Sequence, residues 1–506
     1  MLTNPVKPQP TLELIAGRIL RLALCAVALT AWLSGSNPAA AMGGFGRGGG
    51  FGRPGVGMGF GQRRPIIAPR RSGGRVVEPG RGPGHHGIVG GGVGGGIGVN
   101  PGPVISGQGP GGGGGGNSRS GVPPQGERRF VPDEVITEIS PAATPQSIGQ
   151  IARRYDLTQL EVQRFPLIGA TFYRWRLGGR RSVADTVGAL EDERVVMSAQ
   201  PNYIFSLQEA VTKSASGTQG DAAQYVLEKL QIDRAHQIAT GKNVLAAVID
   251  SEIDAKNPNL EHSIVKSFDA LSGDQTPHQH GTAMAGAIAA HGKLLGIAPG
   301  AGLLAARAFE GAQGEARGMS FAIYKSLQWA ADNAARIVNL SFAGPADPVL
   351  HRMLAAAHDK NMVLIAAAGN AGPNSGPLYP AADQAVIAVT ATDNDDGVFK
   401  MANRGAYVAA AAPGVEVLAL APGESYQITT GTSVAAAHVS GVAALLLERK
   451  PSLEPDEIRT IITTTAKPFG PASPHAESGA GLVNAYRALL SLNGKAGKDG
   501  DEQARR

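Results

Sequence analysis

Four polar residues lie where an apolar segment ends or a helix begins, and their side chains suit acyl transfer. Asp250 ends VLAAVID, His280 opens HGTAMAG, Asn370 ends AAAGN and Ser433 opens SVAAAHVSG. A serine hydroxyl attacks a carbonyl when an imidazole takes its proton and a carboxylate orients that imidazole. A nearby side-chain amide can donate to the oxyanion that forms. These residue types therefore predict hydrolysis through an acyl-enzyme.

Each of these residues also has an ordinary structural interpretation. An aspartate after a strand can cap the next turn, a Gly-Asn pair forms turns, and serine is a common helix N-cap. His278 competes with His280 for the role of the base. His280 has the helix-opening position, where the positive end of the helix disfavours an imidazolium and favours a neutral ring that accepts a proton. The combination of all four residues in one chain favours the catalytic interpretation.

The region 222–492 has the pattern of an α/β domain. Short apolar strands alternate with Ala-rich helices, and the strands include NVLAAVID, AGLLAARAF, RIVNLSF, NMVLIAAAGN and QAVIAVTATD. Strands that are apolar on both faces belong to a mostly parallel sheet with helices on both sides, so the predicted fold is a doubly wound α/β domain. The carboxyl ends of such strands share one edge of the sheet, where open α/β folds bind ligands. Asp250 and Asn370 would meet at that edge.

The region before this domain divides into a second block and a linker. Residues 128–207 read as strand, helix, strand, strand, helix and strand, which predicts a small α+β domain of the ferredoxin-like type. The polar stretch 208–221 predicts an exposed linker, and residues 493–506 predict a polar tail.

The N-terminal residues 1–41 have the order of a secretory signal peptide. Basic residues precede a short apolar run, and small residues follow it, with an expected cut after Ala41. The alternative is a signal anchor that stays in the membrane. The single cysteine, Cys25, lies in this segment, so the mature protein would have no disulfide. We therefore expect a secreted or periplasmic protein.

Residues 42–127 form a Gly/Arg-rich segment. Of the 71 glycines of the chain, 34 lie within 43–122, together with nine arginines and one acid, Glu78. Apolar side chains are too sparse to offset the entropy of ordering the backbone, so this segment is predicted to be disordered. It could serve as a flexible spacer or as a tether for an anionic surface or nucleic acid. Because the positive charge is confined to this segment, we expect no specific nucleic-acid partner for the folded part.

The motifs around the four residues resemble those of the subtilisin-like (subtilase) family of serine peptidases. VLAAVIDSEID, HGTAMAG and GTSVAAAHVSG are similar to its three catalytic motifs, and AAAGN is similar to its oxyanion motif. The resemblance covers about 222–490. The block before it resembles the inhibitory pro-domain of the same family, which assists folding and is then removed.

The resemblance implies roles for each residue. Asp250 would orient His280, His280 would act as general base and acid, and Ser433 would be the nucleophile. Asn370 and the Ser433 N–H would hold the oxyanion. The implied partners are protein or peptide substrates and the chain's own pro-domain as an intramolecular inhibitor. No cofactor is implied, and no stable membrane span is expected after signal cleavage.

The resemblance also implies a substrate cleft. An extended substrate would pair as a β-strand with the backbone on two sides of this cleft. Its residues would be Leu340, Ser341, Phe342, Ala343, Gly344, Ala367, Ala368, Gly369 and Leu378. Phe342, Ala343 and Leu378 add bulk where the family often has less, so we expect a narrow S1 pocket that prefers small or aliphatic P1 residues.

Other positions depart from the family without removing a catalytic group. Glu252, Asn257 and Ala437 stand where Gly, His and Pro are usual. The loop AAHGKLLG after the histidine helix is short and lacks acids, so we expect no calcium site there and assign no metal ligand. Two alternatives stay open: a subtilase-like binding protein that has lost activity, and an esterase or amidase with the same triad.

Overall fold

The computed structural model describes residues 120–208, 210–215, 224–273, 275–312, 314–469 and 476–493. All of them fall within one compact unit, Gln108–Arg506. The expected signal peptide, most of the Gly/Arg-rich segment and the expected polar tail beyond residue 493 lie outside the described residues.

The N-terminal block has the predicted element order. Its elements are β1 Phe130–Ile139, α1 Pro145–Tyr155, β2 Leu157–Phe165, β3 Ala170–Leu177, α2 Val183–Glu191 and β4 Val196–Leu207. The four strands lie in the order β4-β1-β3-β2, and every neighbouring pair is antiparallel. This is the arrangement of a ferredoxin-like sandwich.

The helices of this block begin at residues that satisfy their first backbone N–H groups. Thr144 Oγ accepts from the backbone N–H of Ser147 at 3.2 Å, and the Ser147 hydroxyl lies 3.0 Å from Thr144 N, so the two form a capping box. Pro145 stands in the first turn, where it costs no hydrogen bond. The Ser182 hydroxyl caps α2 by accepting from Asp185 N at 3.1 Å.

Packing of the block begins before residue 128. Gly121 N donates to Glu191 at 2.6 Å, and Ser120 Oγ donates to the other oxygen of the same carboxylate at 2.6 Å. A Cβ on Gly121 would overlap the carbonyl oxygen of Ala199, so this backbone approaches β4 closely. Residues 120–127, at the end of the segment predicted to be disordered, therefore lie against the block.

The following domain contains a seven-stranded sheet in which all neighbouring strands are parallel. Its order is β14-β13-β12-β10-β6-β8-β7. The strands are β6 Leu245–Asp250, β7 Ile264–Asp269, β8 Gly302–Arg307, β10 Ile337–Leu340, β12 Val363–Ala367, β13 Val386–Thr392 and β14 Val408–Pro413.

Helices cover both faces of this sheet. They are α3 Tyr225–Leu230, α4 Ile232–His236, α5 Gln279–Ala289, α6 Ser320–Asp332, α7 Pro348–Asp359, α8 Thr432–Arg449, α9 Pro455–Thr464 and α10 Ala485–Ser491. In β6, Ala246 and Val248 pack into one apolar core, whereas Ala247 and Ile249 pack into the other. Burial of a side chain such as Ile249 contributes roughly 1.5–3 kcal/mol. The prediction of a doubly wound parallel α/β fold is confirmed.

Part of the expected linker forms a strand. Residues Ala210–Ala215 form β5, which pairs antiparallel with β16 Ser425–Thr430. On its other edge β16 pairs with β15 Val417–Ala421. The chain that leaves the block is thus paired in the domain that follows. Within the described ranges, no helix has both the length and the apolar character needed to cross a membrane.

Candidate active site

Asp250 and His280 form a buried pair at the carboxyl edge of the parallel sheet. His280 Nδ1 lies 2.8 Å from Asp250 Oδ1 and 3.0 Å from Oδ2. An ionised carboxylate only accepts, so Nδ1 carries the proton of this bond. Ser251 donates to the same carboxylate through its N–H at 2.7 Å and its hydroxyl at 3.0 Å. The carboxylate is therefore held in place, and it fixes the tautomer in which Nε2 can accept a proton.

The start of α5 approaches the end of β6 closely. A Cβ on Gly281 would overlap the carbonyl oxygen of Ser251, and Gly281 N donates to Ser251 Oγ at 3.0 Å. Only a residue without a side chain allows this contact, which brings His280 over Asp250. His278, the rival in sequence, is the N-cap of α5 and accepts from His280 N at 3.2 Å through Nδ1.

Ser433 is the second residue of α8. Its Oγ lies 3.0 Å from the carbonyl oxygen of Gln208 and 3.1 Å from that of Ser341. The Ser341 hydroxyl in turn donates to the Ser433 carbonyl at 3.0 Å and accepts from Asn339 Nδ2 at 2.8 Å. These bonds tie the start of α8 to the end of β10.

Asn370 presents its side-chain amide to the same carbonyl of Gln208, with Nδ2 at 2.9 Å. Its Oδ1 accepts from Thr432 N at 3.1 Å and from Thr432 Oγ at 2.9 Å. The preceding Gly369 has φ 113°, and a Cβ there would lie 2.8 Å from Asn403 Oδ1 and 2.9 Å from Leu378 Cδ1. Glycine is thus required at 369 for both its conformation and its surroundings.

The end of β4 occupies the cleft that leads to these groups. One edge of β4 pairs antiparallel with β11 Phe342–Ala343, with Leu207 opposite Phe342 and Ser206 opposite Ala343. The other edge pairs with β9 Arg317–Met319. Gln208 N lies 3.5 Å from Ser341 O. The block therefore inserts an extended strand between two strands of the next domain.

The predicted cleft residues differ in their contacts with the inserted strand. Phe342 and Ala343 pair directly with β4, and Gly344 exchanges backbone hydrogen bonds with Tyr379. Leu340, Ala367 and Ala368 are buried. Ala368 N donates to Val389 O, so its backbone belongs to the sheet.

A polar cavity of 190 Å³ lies next to the strand end that carries Asp250. Glu252, Asp269 and Arg307 are among its lining residues. Burial raises the pKa of Glu252, and the Arg307 guanidinium partly offsets this effect. The Glu252 carbonyl accepts from His278 N at 2.8 Å. The Glu252 backbone therefore contacts the segment that carries His280.

Sequence reasoning missed Ser251, Thr432, Gln208 and strand β9 as parts of this site. Ser251 and Thr432 are next to the predicted catalytic residues Asp250 and Ser433 in the sequence, and this adjacency could have indicated that they belong to the site. Gln208 lies at the end of the alternating pattern of β4, but nothing in its neighbourhood indicates which strands flank it. The pairing joins residues more than a hundred positions apart.

Comparisons with known proteins agree with this geometry. The sequence model of the Subtilase family matches residues 241–481. Thermitase from Thermoactinomyces vulgaris is 34% identical over 274 residues, which cover 53% of this chain and 95% of thermitase. Subtilisin BL from Lederbergia lenta is 35% identical over 270 residues, covering 52% of this chain and 97% of that protein.

A solved structure shares the fold. The match is to fervidolysin from Fervidobacterium pennivorans, described as a keratinolytic enzyme related to subtilisin. The TM-score is 0.63 at 23% identity, and the match covers 74% of this chain and 62% of the fervidolysin chain. At this identity the likeness is one of fold.

Proposed function

This chain belongs to the subtilase family of serine endopeptidases, and from that premise we propose that Ser433 is its nucleophile. His280 is the general base and acid, Asp250 orients it, and Asn370 Nδ2 with the Ser433 N–H forms the oxyanion hole. The N–H groups at the start of a helix have no partner within the helix, which leaves that of Ser433 available.

The position of the Gln208 carbonyl carries this proposal. Its oxygen lies 2.9 Å from Asn370 Nδ2 and 3.0 Å from Ser433 Oγ. A peptide carbonyl thus lies where donor and nucleophile meet, at distances suited to stabilisation of a developing oxyanion. The β-strand pairing of residues 204–207 on both edges holds this carbonyl as a peptide substrate would be held. An extended backbone paired on both sides favours peptides over simple esters as substrates.

The proposed reaction uses the chemistry of a Ser-His-Asp triad. Ser433 Oγ bonds to the carbonyl carbon while His280 takes the hydroxyl proton, and the carbonyl oxygen becomes the oxyanion. The C–N bond then breaks, and His280 gives its proton to the leaving amine. Water repeats the sequence on the acyl-enzyme and releases a carboxylic acid and free Ser433.

The N-terminal block is the natural first substrate and inhibitor of this site. We place the first cut after Gln208, because its carbonyl oxygen lies beside Asn370 Nδ2 and Ser433 Oγ. After the cut, Gln208 becomes the carboxyl end of a strand that stays paired in the cleft. This strand and the docked block then keep other substrates out until the block is removed. From sequence alone, we expect the cut within the linker 208–221, with the active protein beginning between about Leu207 and Ala222.

The contacts of the block support its role as a docked inhibitor. Gln200 Oε1 accepts from Val349 N at 3.2 Å, at the start of α7, and Asn202 Oδ1 accepts from Phe321 N at 3.3 Å, at the start of α6. Glu161 pairs with Lys325 at 2.8 Å. The block therefore adds acceptors at the N-termini of two helices of the peptidase domain.

Secretion is proposed from the sequence order of residues 1–41. The mature enzyme would then act in the periplasm or outside the cell. Without a cysteine after the signal peptide, its stability in that compartment rests on packing rather than disulfides.

A comparison of Ser433→Ala with wild type tests the proposed function. Wild type should react with a fluorophosphonate probe after processing and should show a new N-terminus at Glu209 by mass spectrometry. Ser433→Ala should lose labelling and stay uncut. Ser440→Ala, two turns further along α8, is the matched control and should be processed and labelled. Labelling that persists in Ser433→Ala, or labelling without cleavage of any peptide, would contradict the assignment; the second result would favour the esterase alternative.

A further inference from the structure

The S1 subsite is the space that receives the side chain of residue 208, and Leu378 lies beside Gly369 near this space. Tyr379 exchanges backbone hydrogen bonds with Gly344, with distances of 2.8 and 3.1 Å. The adjacent Leu378 directs its side chain toward Gly369, where Cδ1 lies 2.9 Å from the position a Cβ would take. Leu378 therefore spans from the Phe342–Gly344 side of the cleft to the Gly369 side.

The Gln208 side chain bonds to one backbone group of the cleft and to one of its own strand. Its Oε1 accepts from Asn370 N at 2.8 Å, and its Nε2 donates to Ser206 O at 3.3 Å. Each polar end of the carboxamide thus has a partner of the correct kind. The Asn370 N–H is a fixed donor, since the Asn370 side chain is itself held by Thr432.

From these two features we infer that this peptidase recognises glutamine at P1. The Asn370 backbone N–H binds the side-chain oxygen of glutamine, and Leu378 denies space to aromatic P1 residues. This inference rests on the proposed function and deepens it. It replaces the expectation of small or aliphatic P1 residues with a specific polar side chain that lies at the mouth of the subsite.

The same geometry discriminates against close analogues of glutamine. Methionine has a similar length and shape, but it leaves the Asn370 N–H without its acceptor. Glutamate keeps an acceptor for this N–H, but its second oxygen faces Ser206 O without a proton. Its negative charge also lies beside the carbonyl that becomes the oxyanion. Methionine or glutamate at P1 should therefore each be cleaved more slowly than glutamine.

Processed wild-type enzyme and a series of quenched peptides test the inference. The peptides are Ile-Phe-Ser-Leu-Xaa-Glu-Ala-Val, which copies residues 204–211, with glutamine, methionine, glutamate, alanine or phenylalanine as Xaa. We expect kcat/KM for glutamine to exceed that for methionine by about 3- to 10-fold, the range for one neutral hydrogen bond. Glutamate at pH 7 should fall below methionine, and phenylalanine should be cleaved at least about 10-fold more slowly than glutamine. Equal rates for glutamine and methionine, or a preference for phenylalanine, would overturn the inference.

Leu378→Ala provides a second test on the enzyme side. Removal of the Leu378 side chain beyond Cβ should raise kcat/KM for the phenylalanine peptide by about 10-fold or more and leave that for the glutamine peptide within about 3-fold. The rate of fluorophosphonate labelling, which needs no P1 side chain, reports whether the variant is folded and active. If Leu378→Ala does not fold, the wild-type peptide series alone decides.

The failures of the two proposals are distinguishable. Loss of both labelling and peptide cleavage in wild type would overturn the proposed function and this inference with it. Labelling of Ser433 combined with preferred cleavage after phenylalanine would overturn only the glutamine inference. A self-cleavage series with Gln208→Met and Gln208→Phe in the full chain should follow the same ranking as the peptides.

Discussion

Thr432 fixes the orientation of the Asn370 side-chain amide. Its backbone N–H and hydroxyl lie 3.1 and 2.9 Å from Asn370 Oδ1, so Nδ2 is left to point at the Gln208 carbonyl. The same hydroxyl accepts from Gly369 N at 3.1 Å. One buried threonine therefore aligns both the donor and the glycine that precedes it.

Replacement of Thr432 should impair the oxyanion hole without changing substrate binding. Thr432→Val keeps the shape of the side chain but loses the hydroxyl. We expect kcat to fall about 10-fold with KM nearly unchanged, because the transition state loses the stabilisation of about one hydrogen bond. Thr432→Ser should restore most of the activity. Steady-state kinetics on the glutamine peptide provide the measurement. An increase in KM alone would show that Thr432 positions substrate instead.

Asn370→Ala removes the donor itself. Loss of one oxyanion-hole donor costs roughly 10²- to 10³-fold in kcat in subtilisin, a magnitude taken from that known case. We expect a similar loss of kcat here, in a protein that still folds. Exposed Asn374, four residues later in the same loop, offers a control variant, Asn374→Ala, that should retain full activity. A variant of Asn370 that alters only KM would contradict the oxyanion role.

The sequence indicated where the candidate catalytic residues lie better than it indicated the contacts that position them. Asp250, His280, Asn370 and Ser433 lie in short local motifs, and strands apolar on both faces predict their common edge of the sheet. Gln208 lies in a segment that reads as the start of a polar linker. Its placement depends on pairing of β4 with β9 and β11, which neither segment signals by itself. Local patterns predict elements, whereas the register between distant strands depends on tertiary packing.

Phe205 should dominate the lifetime of the inhibited complex. Its ring is fully buried, packs edge to face on Phe342 with centroids 5.7 Å apart, and would overlap a Cβ on Gly344. Truncation of such a residue costs about 3–5 kcal/mol, so Phe205→Ala should shorten the lag before peptide hydrolysis after self-cleavage by about 100-fold or more.

An ion pair across the same interface gives a matched comparison for Phe205. Arg352, with 41% of its side chain exposed, pairs with Glu138 of the block. Exposed pairs contribute about 0–1 kcal/mol, so Arg352→Gln should shorten the same lag less than about 5-fold. A larger effect of Arg352→Gln than of Phe205→Ala would show that charge rather than apolar burial holds the block.

His438 should make the folded domain less stable in mild acid. Burial in α8 lowers the pKa of His438 to about 4, although the Pro413 carbonyl at 2.9 Å from Nδ1 opposes this effect. A histidine in the unfolded chain has a pKa near 6.5. Below that pH the unfolded chain therefore binds a proton at His438 that the folded chain does not bind. The contribution of His438 to the free energy of unfolding is thus fully present above about pH 6.5. It is lost as the pH falls toward 4, and the loss is at most about 3 kcal/mol.

The His438 effect can be measured by urea unfolding in the Ser433→Ala background, which prevents self-digestion. The free energy of unfolding should fall between pH 7 and 4.5, and His438→Gln should flatten this dependence because its amide can still donate to Pro413 O without titrating. His262 has 90% of its side chain exposed, and His262→Gln should leave the pH dependence unchanged. An equal slope in wild type and His438→Gln would contradict the assignment.

The block should also speed folding of the peptidase domain. Helix α6 begins after Met319 without a side-chain cap of its own, and Asn202 of the block supplies an acceptor to Phe321 N in its first turn. Helix α6 lies between β8 and β10 in the chain, the two strands of the parallel sheet that flank β6, so a docked block stabilises an element that connects these strands. Pairing of such strands is slow because it needs contacts between remote parts of the chain.

Refolding of 209–506 with Ser433→Ala, followed by tryptophan fluorescence, tests this role. Without the block, refolding should be slower than in the full-length Ser433→Ala chain by about 10-fold or more, and added fragment 120–208 should restore much of the rate. The fragment with Asn202→Ala should be a poorer helper, because it leaves the first turn of α6 without that acceptor. The fragment with Gln146→Ala, at an exposed position of α1, is the matched control and should act as wild type. If 209–506 refolds unaided at the full-length rate, the block is an inhibitor alone and contributes nothing to folding.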